Sequence, residues 1–260
     1  MQILLASAKT MRESTPMGGV QASSPLFQEE ALMIAGDMAK KGTKELAELF
    51  KCSESIAATN RSRFEVFGSD EAEVIPAVLA YNGQAYKYLK AWELDTAALD
   101  WAQEHLWISS CLYGMLRPLD GINPYRMDGA FSLPCTGGGK VFSFWRDRLT
   151  ELLIRSTKED DGVLVYLDTD EFRSLFDWKK VCDEIKVIEP RFRVRKSGKL
   201  TSPSVWTKSC RGAMARFIID GSLSHPGDLS DFIFEGFQPS DAVAEDWTWI
   251  RSVNSHCRPD

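Results

Sequence analysis

Apolar residues recur along this chain at two spacings and in short unbroken runs. Ile3-Leu4-Leu5-Ala6 is such a run and predicts a buried strand over residues 2–6. Residues 7–24 show no period and are rich in Ser, Thr, Met, Gly and Pro, the pattern of a long ordered loop. After Pro25, the helical spacing of Leu32, Ala35 and Ala39 predicts a helix over 25–40. Gly42-Thr43 stops it, and a helix pair follows over 44–51 and 54–64, with Ser53 as N-cap of the second. Residues 72–92 read as helical after Pro76, and 97–113 as further helix. Within the latter, Trp107-Ile108-Ser109-Ser110-Cys111-Leu112-Tyr113 reads as a buried helix ending near Gly114. Residues 142–156 have the two-faced pattern of an amphipathic helix. Gly162-Val163-Leu164-Val165-Tyr166-Leu167 is apolar and β-branched, a buried strand. Further strands are predicted at 186–188, 191–195 and 200–206, the last two around the turn Lys196-Ser197-Gly198-Lys199. A helix from Arg211 to Asp220 ends at Gly221. No repeat and no linker divides the chain. The prediction is one α/β (α+β) domain over 1–260, a mixed sheet surrounded by many helices.

Composition narrows the picture. Hydrophobic residues make up 44% and charged residues 26%, ordinary for a globular protein. No apolar run reaches the length of a membrane span, and Met1-Gln2-Ile3-Leu4-Leu5-Ala6 lacks the basic start of a signal peptide. A cytoplasmic protein with no membrane partner is expected. The six cysteines (Cys52, Cys111, Cys135, Cys182, Cys210, Cys257) include no C-x-x-C pair, and His105, His225 and His256 are far apart. We expect no metal site and no cofactor. Cys111 and Cys210 fall in apolar contexts, where an inert buried thiol is the ordinary fate.

Net charge is −6, unevenly spread. From Lys186 to Arg216 nine basic residues face Glu189 alone. Such a chain does not coat nucleic acid indiscriminately, yet a local cleft can hold a polyanion or an anionic metabolite. Alternatively, Arg191, Arg193 and Arg195 form one solvated strand face.

Two places carry candidate chemistry. The stretch from Leu112 to Met127 holds Arg117 and Arg126 between Pro118 and Pro124. A rigid loop bearing guanidinium forks suits a fixed carboxylate or phosphate, or else both arginines pair with internal acids. Asp168-Thr169-Asp170-Glu171 follows the strand at 162–167, and Lys9 follows the first strand. In α/β proteins strand carboxyl ends border the site. If those two strands are parallel neighbours, Lys9 and Glu171 enter the same crevice. Cys135-Thr136-Gly137-Gly138-Gly139-Lys140 lacks Walker spacing and reads as a surface turn.

These segments also carry a resemblance. Leu112-Tyr113-Gly114-Met115-Leu116-Arg117-Pro118-Leu119-Asp120, continuing to Pro124-Tyr125-Arg126, resembles the motif L-Y-G-x-L-R-P-L-D-x-x-x-P-Y-R of the YaaA family, also called DUF328 or UPF0246, the peroxide stress protein family. Ala8-Lys9-Thr10, Phe144-Trp145, Asp170-Glu171, the run Arg211-Gly212-Ala213-Met214-Ala215-Arg216-Phe217-Ile218-Ile219, and Glu235-Gly236-Phe237 match further family motifs in order. Several positions depart from the pattern: Ala6-Ser7 replaces Ser-Pro, Gln84 replaces an acid, and Tyr166, Thr169 and Phe172 replace Asn, Ser and Tyr.

The resemblance implies the sheet-plus-helix arrangement nicknamed a cantaloupe fold. It also implies a cytoplasmic role in the response to hydrogen peroxide, through DNA binding in a basic cleft and limiting of iron-dependent damage. In the family, residues 44–64 have been likened to a helix-hairpin-helix; here no glycine lies between Gly42 and Gly68. Beside the matched motifs, Thr10, Tyr113, Arg117, Arg126, Lys208 and Arg211 are the candidate anion-binding residues. Lys9 and Glu171 are the candidate catalytic pair if the protein is an enzyme, with Glu171 as general acid or base, or else as a structural partner of an arginine. The partner is then DNA or, alternatively, an anionic small molecule turned over in a crevice of Lys9, Arg117 and Glu171.

Overall fold

The computed structural model describes residues 1–253. His256 and Cys257 lie outside the described residues. The chain opens with strand β1 (Gln2–Ala6), as its apolar run requires. Helices α1 (Gln28–Ala39), α2 (Thr43–Phe50) and α3 (Glu54–Glu65) follow, the last capped by the Ser53 hydroxyl accepting from Ile56 N–H. The buried stripe of α1 is Ala31, Ile34, Ala35 and Met38, while Leu32 is exposed. The stripe predicted there is therefore rotated: Ala35 belongs to it and Leu32 does not.

The region read as one helix over 72–92 is broken. It contains β2 (Ile75–Pro76), α4 (Ala77–Ala80) and α5 (Gln84–Leu89), separated by a turn at Gly83. Helix α6 (Thr96–His105) passes directly into β3 (Leu106–Ser110), then β4 (Gly114–Leu116) and β5 (Gly121–Ile122). The predicted helix over Trp107–Tyr113 is thus mostly a strand. An apolar run of this length does not distinguish buried helix from buried strand. Here the edges of β1 and β4 claim its backbone bonds.

Helix α7 (Val141–Glu159), β6 (Val163–Leu167), α8 (Trp178–Glu184), β7 (Lys186–Ile188), β8 (Arg191–Lys196) and β9 (Lys199–Thr201) come next. The strand predicted over 200–206 stops at Thr201, and helix α9 (Ser204–Asp220) begins well before Arg211. The chain continues through β10 (Gln238–Pro239), α10 (Val243–Asp246) and β11 (Thr248–Val253).

The central sheet has the order β4-β3-β1-β6-β7. β3, β1, β6 and β7 run parallel and β4 is antiparallel. A second sheet, β10-β11-β8-β9, flanks it, and β2 pairs with β5. This is the mixed α/β class predicted. The buried side chains form one connected core, in which Ile3, Leu4, Leu5, Leu164, Val165 and Leu167 are essentially inaccessible. Parallel strands buried on both faces need such continuous apolar runs. The carboxyl ends of β1, β3 and β6 therefore all open at one edge of the sheet.

Candidate functional site: a crevice at the strand ends

After β1 the chain is clipped to the approach of α5. Asn82 N–H donates to the Thr10 carbonyl (2.9 Å), the Thr10 hydroxyl donates to the Asn82 carbonyl (2.9 Å), and Arg12 N–H donates to the Ala80 carbonyl (2.8 Å). Gly83 fits because a Cβ there would lie 2.6 Å from the Ala8 Cβ. These contacts hold Lys9 and Thr10 at the sheet edge. From the other side, α9 reaches the same edge by crossing α5 at backbone distance. A Cβ on Gly212 would lie 1.8 Å from the Ala85 carbonyl oxygen. The neighbouring Lys208 and Arg211 thereby face the strand ends. After β6, Thr169 to Phe172 turns across the opening, its Thr169 carbonyl accepting from the Tyr166 hydroxyl (2.7 Å).

The result is a crevice of about 340 Å³. Leu5, Tyr86, Tyr125, Met127, Leu167 and Phe172 supply apolar wall, and Lys9, Thr10, Gln84, Asp128, Glu171, Lys208 and Arg211 supply polar groups. Between Leu167 and Thr169, which line it, lies a hidden carboxyl. Asp168 is fully buried, accepts from the Ser109 hydroxyl and from Thr169 N–H, and burial pushes its pKa up to about 7. A second, more open groove of about 420 Å³ shares Thr169, Lys208 and Arg211 with the crevice. It adds Arg173, Arg191 and Arg193, with Asp170 and Glu189 as counter-charges.

Charge in the crevice is incompletely paired. Lys9 reaches Asp128 at 3.7 Å. Arg211 is half-buried, its Nε buried without a hydrogen-bond partner, and it makes no ion pair among the described residues. Burial pulls its pKa down, against the pull of nearby Asp168. Glu171 is exposed at the rim and also makes no ion pair among the described residues. The carboxylate that holds Arg173 is Glu189, at 2.8 Å. The reading of Glu171 as an arginine's structural partner therefore has no contact behind it.

Of the residues singled out in the sequence, Lys9, Thr10, Glu171, Lys208 and Arg211 come together. Arg126 lies beside them, its Nη1 donating to the Lys9 carbonyl (3.5 Å) and its Nε buried without a partner. Tyr113 and Arg117 lie elsewhere. Tyr113 is fully buried and its hydroxyl accepts from Asn123 N–H (3.0 Å). Because β4 runs antiparallel to β3, Arg117 leaves the sheet toward the amino-terminal ends of the parallel strands. There its guanidinium stacks 5.8 Å from the centre of the Trp107 ring.

Tyr86 and Asp128, which line the crevice, and Ser109, which donates to Asp168 behind it, are residues that pattern reasoning passed over. Ser109 was hidden by the helical reading of β3. The family departures Ala6-Ser7, Gln84, Thr169 and Phe172 all line the crevice, and Tyr166 lines the adjoining groove.

Two other expectations meet geometry here. Burial raises the thiol pKa of both Cys111 and Cys210, the latter to about 12, so neither is a ready thiolate. In the α2–α3 hairpin, Lys51 takes the left-handed turn position (φ 47°) in place of a glycine. Its N–H is spent on the Ala47 and Glu48 carbonyls. Among the described residues, no three His, Cys, Asp or Glu side chains are grouped to hold a metal ion, and no helix is long and apolar enough to cross a membrane.

A polar crevice outside the carboxyl ends of parallel strands places the chain among α/β proteins with an open sheet edge, the position where such folds offer a candidate site. Comparison with known proteins gives the family. Residues 1–242 match the family described as peroxide stress protein YaaA. A UPF0246 protein of Phocaeicola vulgatus is 43% identical over 255 residues, covering 98% of this chain and all of the relative. One of Bacteroides thetaiotaomicron is 39% identical over 246 residues (95% and 96% covered). One of Caulobacter vibrioides is 32% identical over 254 residues (96% and 99% covered). The chain belongs to the YaaA (UPF0246) peroxide stress protein family.

Proposed function

We propose that this protein serves the peroxide response for which its family is named by binding a small anionic molecule in the strand-end crevice. The observation that carries the reading is Arg211: a half-buried guanidinium that lines a concave space with an unpartnered Nε and, among the described residues, no ion pair, although Asp168 lies near enough to attract it. Burying a cation without a partner is costly, and an incoming carboxylate or phosphate would remove that cost. The crevice is of ligand size and too narrow for a duplex. The chain's cysteines are free among the described residues, which fits a reducing cytoplasm.

If the bound molecule is also converted, Glu171 is the proton carrier. It is an unpaired carboxylate at the rim, with Lys9 and Arg211 placed to orient an anion. Glu171→Gln should then abolish turnover while sparing affinity and melting temperature.

The test is a thermal-shift panel of inorganic phosphate, pyrophosphate, tripolyphosphate and citrate. At least one should raise Tm, and Arg211→Gln should lose that rise while keeping its fold. Cells lacking the gene should regain peroxide survival with the wild type and not with Arg211→Gln. If no anion moves Tm and the variant rescues fully, the reading is wrong.

DNA binding is the second reading. It is favoured by exposed Arg191, Arg195, Lys196 and Lys199 along β8 and its hairpin, continuous with the basic groove. It would be steeply salt-dependent, log affinity falling by about 0.9 per phosphate contact against log salt. Reversing Arg191, Arg193 and Arg195 to Glu should abolish it.

A further inference from the structure

The crevice and the groove are not two sites. They share Thr169, Lys208 and Arg211, and their linings differ sharply in chemistry. The inner chamber is walled by rings and aliphatic groups. Tyr125 spends its hydroxyl on Tyr81 and Ser110, and Tyr86 spends its own on the Ala6 carbonyl. What both offer the chamber is therefore ring surface. Glu171 and Asp128 are the carboxylates at its edge, Asp128 beside Lys9 at 3.7 Å and Glu171 without an ion pair among the described residues. The outer groove is a cation site. Arg173, Arg191, Arg193, Lys208 and Arg211 face only Asp170 and Glu189, and both of these acids already lean on Arg173. Arg193 is steadied by donating to the Ser202 hydroxyl (2.8 Å). Arg211 stands at the divide.

Each simple class of anion leaves one part of this arrangement unused. A metal-free inorganic phosphate or a sugar phosphate leaves the ring walls wet. A fatty acid leaves Glu171 and Asp128 facing hydrocarbon and most of the groove's cations unneutralised. A ligand with a flat apolar body, hydroxyl or amino donors at its edge, and a chain of anionic groups satisfies all three regions. The inner volume of about 340 Å³ and the outer volume of about 420 Å³ suit a nucleoside and a short phosphate chain respectively.

We propose that the crevice and groove together bind a nucleoside phosphate, with base and ribose in the inner chamber, Arg211 on the first phosphate, and Arg191, Arg193 and Lys208 on the outer ones. This rests on the small-anion reading and adds the substrate class. Glu171 and Asp128 accept from ribose hydroxyls or an exocyclic amine. Lys208, at the shared wall, reaches either phosphate position.

The test is calorimetric titration of the full chain with the four ribonucleoside triphosphates, their monophosphates, the free nucleosides, inorganic tripolyphosphate and a short DNA duplex. At least one triphosphate should bind at least tenfold more tightly than its nucleoside and than tripolyphosphate. Arg193→Ala should weaken that triphosphate at least fivefold and leave the monophosphate within twofold. Phe172→Ala should weaken both and leave tripolyphosphate unchanged. Both side chains lie at the surface of the site, and a melting curve confirms each fold.

If tripolyphosphate binds as tightly as every nucleotide, the inner chamber is unused. The nucleoside proposal is then overturned while the small-anion reading stands. If no small probe binds, both fall. If the duplex outcompetes every nucleotide, the proposal fails in favour of DNA.

Discussion

At the amino-terminal ends of β1 and β3, polar side chains are matched to one another. Gln2 donates to the Glu104 carbonyl and to Asp160 and accepts from the Trp107 indole N–H. Asp120 accepts from Arg117 N–H (2.8 Å) and from the Ser23 hydroxyl (2.9 Å). At the carboxyl ends the matching is incomplete: the Arg211 Nε lacks a partner, Glu171 makes no ion pair among the described residues, and Asp168, though hydrogen-bonded, is buried with its pKa raised. The first edge is finished as structure, and the second retains unused interactions. That difference separates packing motifs from candidate ligand motifs within one family pattern. The longest matched stretch, from Leu112 to Asp120, starts buried beside the carboxyl end of β3 and runs through β4 to the finished edge. Gly114 in it has φ +70° and lies so close to Trp145 that a Cβ would approach the ring at 2.9 Å. Its residues are demanded by geometry, whereas the crevice draws on short fragments scattered along the chain from Leu5 to Arg211.

The largest effect that bears on this division should come from the joint between the two helices that frame the crevice. Gly212→Ala would drive a methyl group against the Ala85 carbonyl, 1.8 Å away, and neither backbone can yield without displacing its helix. A loss of at least about 3 kcal/mol is expected, near the upper end for overpacking, read as a fall in Tm or in soluble yield. A variant as stable as wild type would show that α9 is not locked onto α5, and that Arg211 is not positioned by that crossing.

Next in size is the buried carboxyl. Asp168 has its pKa raised to about 7, so the folded state keeps a proton that the unfolded chain has already released near pH 4. Its contribution is complete below about pH 4 and is lost as pH rises toward 7, by at most about 1.4 kcal/mol per pH unit. Asp168→Asn cannot ionise. It should match wild type at pH 4 and exceed it at pH 8, by at most about 4 kcal/mol, in denaturant titrations. An unchanged pH slope would mean that the surroundings of Asp168 are wetter than its full burial indicates.

Much of this arrangement was legible in the sequence because β1 and β6 are unbroken apolar runs with polar residues directly after them. Lys9 and Glu171 followed from that alone, once the strands were neighbours. Ser109 did not, since β3 follows α6 with no intervening turn residue and its apolar content suits either helix or strand. Arg117 was misplaced for a related reason. A strand running Gly114–Leu116 against β3 carries it to the far edge, and nothing local in the sequence sets that direction. Gly212 shows the converse case. Its need for a missing side chain comes from a helix over a hundred residues away in sequence, Gln84–Leu89, and only the fold reveals it.

On the finished edge, Asp120→Ala should leave the Arg117 N–H and the Ser23 hydroxyl without their acceptor. A cost of about 2 kcal/mol is expected from those unmet donors, with anion affinity at the crevice unchanged. A matched loss of affinity would mean that the loop transmits to the opposite edge, and the contrast between edges would need to be redrawn.

The smallest expected effect is the sharpest discriminator. Arg117 sits in the family's most extended motif and carries the charge that the sequence pattern offers to an anion. Yet its side chain is exposed, its guanidinium lies over Trp107, and the strand that delivers it points away from Lys9 and Arg211. An exposed cation resting against a buried ring contributes about 0.5 kcal/mol. Arg117→Gln should therefore lower Tm barely measurably, because the backbone N–H that Asp120 holds is retained. Binding of any anion that responds to Arg211→Gln should be unchanged within twofold. If Arg117→Gln instead removes binding as completely as Arg211→Gln does, the ligand must span both edges or bind outside the crevice. The assignment of structure to one end of the sheet and recognition to the other would then be wrong.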